Sequence, residues 1–235
     1  MISKRKTTKM TNKDVIVWFL LFFTPFALPA QEKGTGNLEA YLQTKGLVNI
    51  SDLDSSIRSE LKYATTDNFT KTVLYDTLLN IYLHPLAANK LVEAQKHLKS
   101  LYPGYSLLVY DAVRPLSVQR KMYRVVQNTK YAPYVANPAR TGLHNYGMAV
   151  DLTICDENNV PLDMGTPFDY FGAAAGINNE AELVRRGILT NKQVKNRELL
   201  RKVMIHAGFR TIRGEWWHFN AVTLTEAGRL ARIIE

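Results

Sequence analysis

The chain has 235 residues, 46% hydrophobic and 22% charged, which is enough apolar side chain for one core of ordinary domain size and argues against disorder. Its single cysteine, Cys155, excludes an intrachain disulfide, so packing must hold the fold. Much of the formal net charge of +9 sits at the start of the chain, and the rest is scattered among acids without the basic, aromatic-interleaved stripe of a nucleic-acid binder.

Lys4, Arg5, Lys6, Lys9 and Lys13 precede an apolar run from Val15 to Leu28. A membrane-spanning helix needs about 20 residues, so the run is short for one. With the small residue Ala30 behind it, the pattern predicts a secretory signal peptide over 1–30, cut before Gln31. Leu28 is larger than the residue usual three positions before a cut, which leaves an uncleaved N-terminal anchor as the alternative. Removing 1–30 takes away five basic residues and one acid, Asp14, and lowers the net charge from +9 to +5. The expectation is a periplasmic or secreted protein whose contact with a membrane is confined to that segment.

Residues 31–235 read as one domain: Gln31 to Leu38, with Gly34 and Gly36, is a lead-in, and no later stretch has the composition of a linker. From Pro85 to Leu101, Leu91, Ala94, Leu98 and Leu101 fall on one helical face and Lys90, Glu93, Lys96 and Lys99 on the other. A second helix is predicted to start at Pro115, with Val118, Met122 and Val125 facing inward. Thr190 and Gln193 form a capping box for a third, in which Leu199, Leu200, Val203 and Met204 pack and Gly208 is the stop. Strand character marks Ser106 to Tyr110, Met148 to Ile154 and Glu215 to Phe219. Helices and strands do not alternate regularly, which predicts an α+β domain with a small, mainly antiparallel sheet packed by helices. Cys155 follows the second strand and reads as a small buried hydrophobe rather than a nucleophile.

His144 and Asp151 are separated by a turn and the start of a strand, and His218 arrives on a separate segment. Two histidines and a carboxylate suit a catalytic zinc ion that keeps a fourth position for water. The spacing is not a strong zinc motif, and a histidine beside a glycine turn is often only a hydrogen-bonded surface residue. His84, His97 and His206 sit at a turn and late in helices and read as structural.

Thr141-Gly142-Leu143-His144-Asn145-Tyr146-Gly147-Met148-Ala149-Val150-Asp151 resembles the S-x-H-x-x-G-x-A-x-D signature of the D-alanyl-D-alanine dipeptidase family, the VanX-type zinc peptidases. Glu215-Trp216-Trp217-His218 matches its E-x-W-H signature, and Lys62 to Thr70, Asp111 to Pro115 and Met164 to Asp169 are further blocks in family order. The resemblance implies one Zn2+ per chain held by His144, Asp151 and His218, with Glu215 as general base. A carboxylate three residues from a ligand can reach the reacting water without competing for the ion. It also implies that Arg114 polarises the scissile carbonyl, against the plainer reading of an ion pair with Asp111. Tyr63 and Asp169 would shape the pocket, Asp169 pairing with the free ammonium of a dipeptide and so excluding longer peptides. Asp67, Asn68 and Asp163 read as turn and cap residues. Trp216 and Trp217 read as walls, one in the core and one lining the site.

The implied substrate is a small dipeptide derived from the cell wall, with no nucleic-acid partner. A peptidoglycan D,D- or L,D-carboxypeptidase or endopeptidase is the alternative within the same machinery, and a non-catalytic wall-binding module is the alternative outside it. The departure from the family signature is Gly142, which stands where that signature has serine.

Overall fold

The computed structural model describes residues 38–132, 135 and 137–235; the expected leader and the start of a mature chain at Gln31 lie outside the described residues. β4 (Ser106–Asp111) and β5 (Ala149–Cys155) are the centre of a sheet ordered β2–β4–β5–β7–β6, with β2 (Arg58–Ser59), β7 (His218–Asn220) and β6 (Arg210–Thr211) flanking them. The β2–β4 pair is parallel and the other three are antiparallel. A second ladder joins β1 (Val48–Asn49) to β3 (Tyr82–Leu83). The architecture is the α+β domain that the sequence predicts, and no helix among the described residues is long and apolar enough to cross a membrane.

Both central strands are buried along their whole length, as their near-continuous apolar sequences require. Val150, Leu152 and Ile154 join Leu107 and Val109 in the main core. Leu108, Tyr110 and Cys155 pack on the other face against Phe168. Period-two alternation puts Asp151 on the same side of β5 as Cys155, facing away from the main core.

α2 (Pro85–Leu101) covers the core face with Leu91, Ala94 and Leu98, all fully buried. Removing one of these leucines is expected to cost ~2–5 kcal/mol. His84 caps the helix, its Nδ1 accepting from the Leu86 N–H at 3.3 Å. α5 (Asn191–His206) starts at the expected capping box: Thr190 Oγ1 accepts from Gln193 N at 3.2 Å and Gln193 Oε1 from Thr190 N at 2.7 Å. Leu200, Val203 and Met204 are buried, and Gly208 ends the helix at φ 83°. The rings of His97 and His206 stack at 3.8 Å where α2 and α5 meet.

Three expectations need correction. Leu101, expected on the buried face of α2, is the helix's last residue and is exposed. α3 (Leu116–Val126) takes Pro115 as its N-cap, and its buried stripe runs Val118, Met122, Val126 while Val125 is 39% exposed. The cause is Gln119, a polar residue buried because its Oε1 accepts from Arg114 Nη1 at 3.0 Å, which rotates that face inward. β7 begins at His218 rather than Glu215. Trp216 and Trp217 pack against each other at 5.3 Å, which the alternation of a regular strand forbids.

Candidate metal centre and active site

Strand register builds the site. Asp111 on β4 pairs with Asp151 on β5, and Asp151 pairs with His218 on β7, so three polar residues form one row across three adjacent strands. The row depends on a bulge: the register shifts between Val109 and Asp111, which leaves Tyr110 as the extra residue and brings Asp111 opposite Asp151.

His144 comes from the 3₁₀ turn Leu143–Tyr146, which Gly147 ends at φ 64°. A Cβ on Gly147 would lie 2.6 Å from Leu47 Cδ2 and 3.0 Å from His84 N, so only glycine allows this turn. Asn145 locks the turn in place. Its Oδ1 accepts from Gly142 N and its Nδ2 donates to Arg114 O, both at 2.8 Å. Arg114 N donates to His144 O at 2.9 Å, so the guanidinium and the imidazole are fixed to the same backbone.

The three expected ligands converge. His218 Nδ1 is 2.9 Å from Asp151 Oδ1, His144 Nε2 is 3.4 Å from Asp151 Oδ2, and the two ring nitrogens are 3.3 Å apart. One donor atom from each lies within 4.8 Å of the others, a group that could hold a metal ion. The remaining ring nitrogens set the tautomers. His144 Nδ1 meets Ala112 O at 2.6 Å, and a carbonyl can only accept, so the proton sits on Nδ1 and the Nε2 lone pair faces Asp151. His218 Nε2 meets Asn220 Oδ1 at 2.8 Å, so a neutral ring would keep its proton there and Nδ1, which otherwise donates to Asp151, would be free to ligate an ion. Burial alone would raise the Asp151 carboxyl, but the charge and hydrogen bonds of His144 and His218 outweigh it and hold it far below the usual carboxylate range. Burial works against a charged His218, yet its hydrogen bond to Asp151 and the charges of Asp151 and Glu215 raise its pKa. An ionised carboxylate that favours positive charge on its neighbour has the charge balance of a cation site.

Glu215 Oε2 lies 3.9 Å from His218 Nδ1, close to the cluster but not within it. Burial raises its carboxyl, partly opposed by the charges of the two histidines and Arg114. Arg114 makes the ion pair with Asp111 and also faces the cluster. Nε donates to Asp111 Oδ2 at 2.9 Å, and Nη2 also reaches that oxygen while lying 3.7 Å from Asp151 Oδ2. Asp111 is fully buried and its other oxygen accepts from Tyr75 Oη at 2.7 Å. The ion pair therefore aims the guanidinium at the site rather than competing with that role.

These groups line one cavity of about 620 Å³, which Tyr63, Asp169, Trp217 and Gly142 also face. Tyr63 Oη donates to Asp169 Oδ2 at 2.8 Å. Asp169 has a left-handed backbone, φ 57°, which aspartate tolerates and which is common at functional sites. Burial holds its carboxyl well above the usual carboxylate range despite the Tyr63 hydrogen bond, with the charge of Asp151 adding to the effect.

All seven expected site residues are thus in one place. Trp217 lines the cavity, and Trp216 is buried behind it with its Nε1–H on Thr166 Oγ1 at 2.8 Å. Asp67 pairs with Lys62, Asn68 organises its own loop, and Asp163 accepts from Gly165 N and Gln193, the structural roles expected of them. Sequence reasoning missed Tyr75, Asn145, Gln119 and Asn220. Asn220 had a signal: at i+2 from His218 on a strand, it shares that residue's face.

Two histidines and a carboxylate clustered in a cavity, with a second carboxylate and a guanidinium beside them, are a set that could hold a metal ion and suit metal-assisted hydrolysis. Comparison with known proteins narrows the class. The family model described as D-ala-D-ala dipeptidase matches residues 43–231. The D-alanyl-D-alanine dipeptidase of Escherichia coli is 31% identical over 75% of this chain and 84% of its own. That of Enterococcus faecalis is 30% identical over 75% and 92%, and that of Synechocystis 29% over 56% and 65%. The chain belongs to the D-Ala-D-Ala dipeptidase family, a family of metal-dependent peptidases.

Proposed function

We propose that the chain is an exported zinc peptidase that hydrolyses D-Ala-D-Ala or similar small D-amino-acid dipeptides. The donor set fits zinc: two imidazole nitrogens and one carboxylate, each neutral imidazole having an acceptor for its proton on the nitrogen that faces away. Bound there, the cation would lower the pKa of water and polarise a carbonyl oxygen.

The chain's own residues account for the rest. Tyr63 and Asp169 receive the substrate's ammonium; pairing with a cation favours the charged form of a carboxyl whose pKa desolvation raises. Arg114, held by Asp111, donates to the scissile carbonyl oxygen as negative charge develops on it. Glu215 takes a proton from the water whose oxygen adds to the carbonyl carbon, and gives it to the amine nitrogen as the C–N bond breaks. Its raised pKa suits a group that must both accept and release that proton.

The observation that carries the dipeptidase reading is the placement of Asp169, half-buried in the wall of the cavity that holds the three candidate ligands. A peptidoglycan carboxypeptidase or endopeptidase would place a neutral amide there and leave the carboxylate unpaired. Export rests on the basic and apolar pattern of residues 1–30.

Incubating zinc-loaded protein with L,L, L,D and D,D dipeptides and with N-acetyl-D-Ala-D-Ala tests this. The expected result is release of free amino acid from D,D dipeptides and not from the capped one. Equal cleavage of the capped substrate would favour the peptidoglycan reading.

A further inference from the structure

Asp169 belongs to an irregular segment, residues 165–172, between Met164 and the short 3₁₀ turn Ala173–Ala175. Nothing regular in that segment fixes its shape, yet its one acidic residue has a left-handed backbone and lines the cavity. Both ends of the segment meet on a single side chain. Arg197 of α5 is fully buried, and its Nε donates to Met164 O at 2.6 Å while its Nη2 donates to Ala174 O at 2.9 Å. Its Nη1 faces Glu180 Oε1 at 3.5 Å, and Glu180 is itself held by two hydrogen bonds from Arg201.

The same guanidinium touches the other side of the active site. It lies 5.9 Å from the ring centroid of Trp216, the residue after Glu215, and Trp216 Nε1–H reaches back into the segment at Thr166 Oγ1, 2.8 Å away. One buried cation therefore ties the two ends of the Asp169 loop to each other and to the segment that carries Glu215 and leads into His218.

We propose that Arg197 is a positioning residue for Asp169, closing the base of the substrate-binding loop so that the carboxylate meets the dipeptide's ammonium. Arginine suits this because its planar fork reaches two carbonyls and an aromatic face at once; lysine offers one point donor. The inference rests on the proposed role of Asp169 in binding that ammonium.

The test is steady-state kinetics on the zinc-loaded full chain with D-Ala-D-Ala, for Arg197→Lys, Asp169→Asn and the double variant. Arg197→Lys is expected to raise KM on the order of tenfold, with kcat and zinc stoichiometry unchanged. A residue that merely holds the fold together would lower the active fraction, and so kcat, without moving KM. In the Asp169→Asn background the Arg197→Lys effect on KM is expected to vanish, because the two act as one unit. Thr166→Val, which removes the acceptor for Trp216 while leaving Arg197 in place, is expected to raise KM in the same direction and serves if Arg197→Lys does not fold. An effect of Asp169→Asn with none from Arg197→Lys or Thr166→Val overturns this inference alone. An Asp169→Asn variant with unchanged KM overturns the ammonium reading and this inference with it.

Discussion

Asp151 and His218 are register partners on neighbouring antiparallel strands, and that pairing alone brings Nδ1 of one within 2.9 Å of Oδ1 of the other. A ligand pair built into a sheet ladder is as rigid as the sheet. His144 joins it from a turn that Gly147 and Asn145 fix. The placing of these three side chains therefore follows from the sheet register and one fixed turn.

Glu215→Ala is expected to keep a full complement of zinc and to lose ~10²–10⁴-fold in turnover, the usual contribution of a general base. Metal analysis alongside kinetics decides it. If zinc leaves with the side chain, Glu215 is a ligand and the assignment of His144, Asp151 and His218 as the complete protein set is wrong.

Asn220→Ala removes the acceptor that keeps the His218 proton on Nε2. Zinc affinity is expected to fall about 10–100-fold, as for other outer partners of metal-bound histidines. Competition against a chelator measures it, and an unchanged affinity would show that the sheet alone orients the ring.

Asp169→Asn is expected to change stability with a definite sign in metal-free protein. The native carboxyl is held above its unfolded value by burial. Native protein thus binds more protons than unfolded protein from about pH 4 upward, and its stability falls as pH rises through the window between the two pKa values. Asparagine can still accept from Tyr63 and has no such window, so the variant should be the more stable protein above it. Denaturant titrations at a series of pH values test this; parallel profiles for the two proteins would rule out a raised Asp169.

Gly142→Ser concerns the departure from the family signature. A Cβ at this position meets nothing within 4 Å, so the cavity has room for the hydroxyl that glycine lacks. One hydrogen bond to a charged group is worth ~1.5–3 kcal/mol, roughly ten- to hundredfold in binding or rate. The serine variant should prefer D-Ala-D-Ala over bulkier dipeptides more strongly than the wild type does. If wild type already rejects every bulkier dipeptide and the serine changes nothing, Gly142 plays no part in specificity.

What could be read in the sequence was what is local. The α2 stripe from Leu91 to Leu98, the Thr190–Gln193 capping box and the Gly208 stop each depend on residues within a few positions of one another, and each is present; Leu101, at the helix end, is not buried. The seven site residues were legible because the blocks that carry them resemble a family. The row Asp111–Asp151–His218 was not, since it depends on a bulge that exists only once β4 and β5 are paired. Val125 was placed inward by a periodicity that could not include the buried bond between Gln119 and Arg114. No local pattern marks Arg197; its burial follows from two carbonyls more than twenty residues away in sequence.

The central claim is that a single metal ion, held by His144, Asp151 and His218, runs dipeptide hydrolysis. Titrating chelator-stripped protein with zinc while measuring D-alanine released from D-Ala-D-Ala tests it most directly. The account predicts no release without metal and a rise that levels at one equivalent per chain in wild type, with His218→Ala failing to recover at that ratio. Full activity in the stripped protein, or none at any zinc ratio, would contradict it.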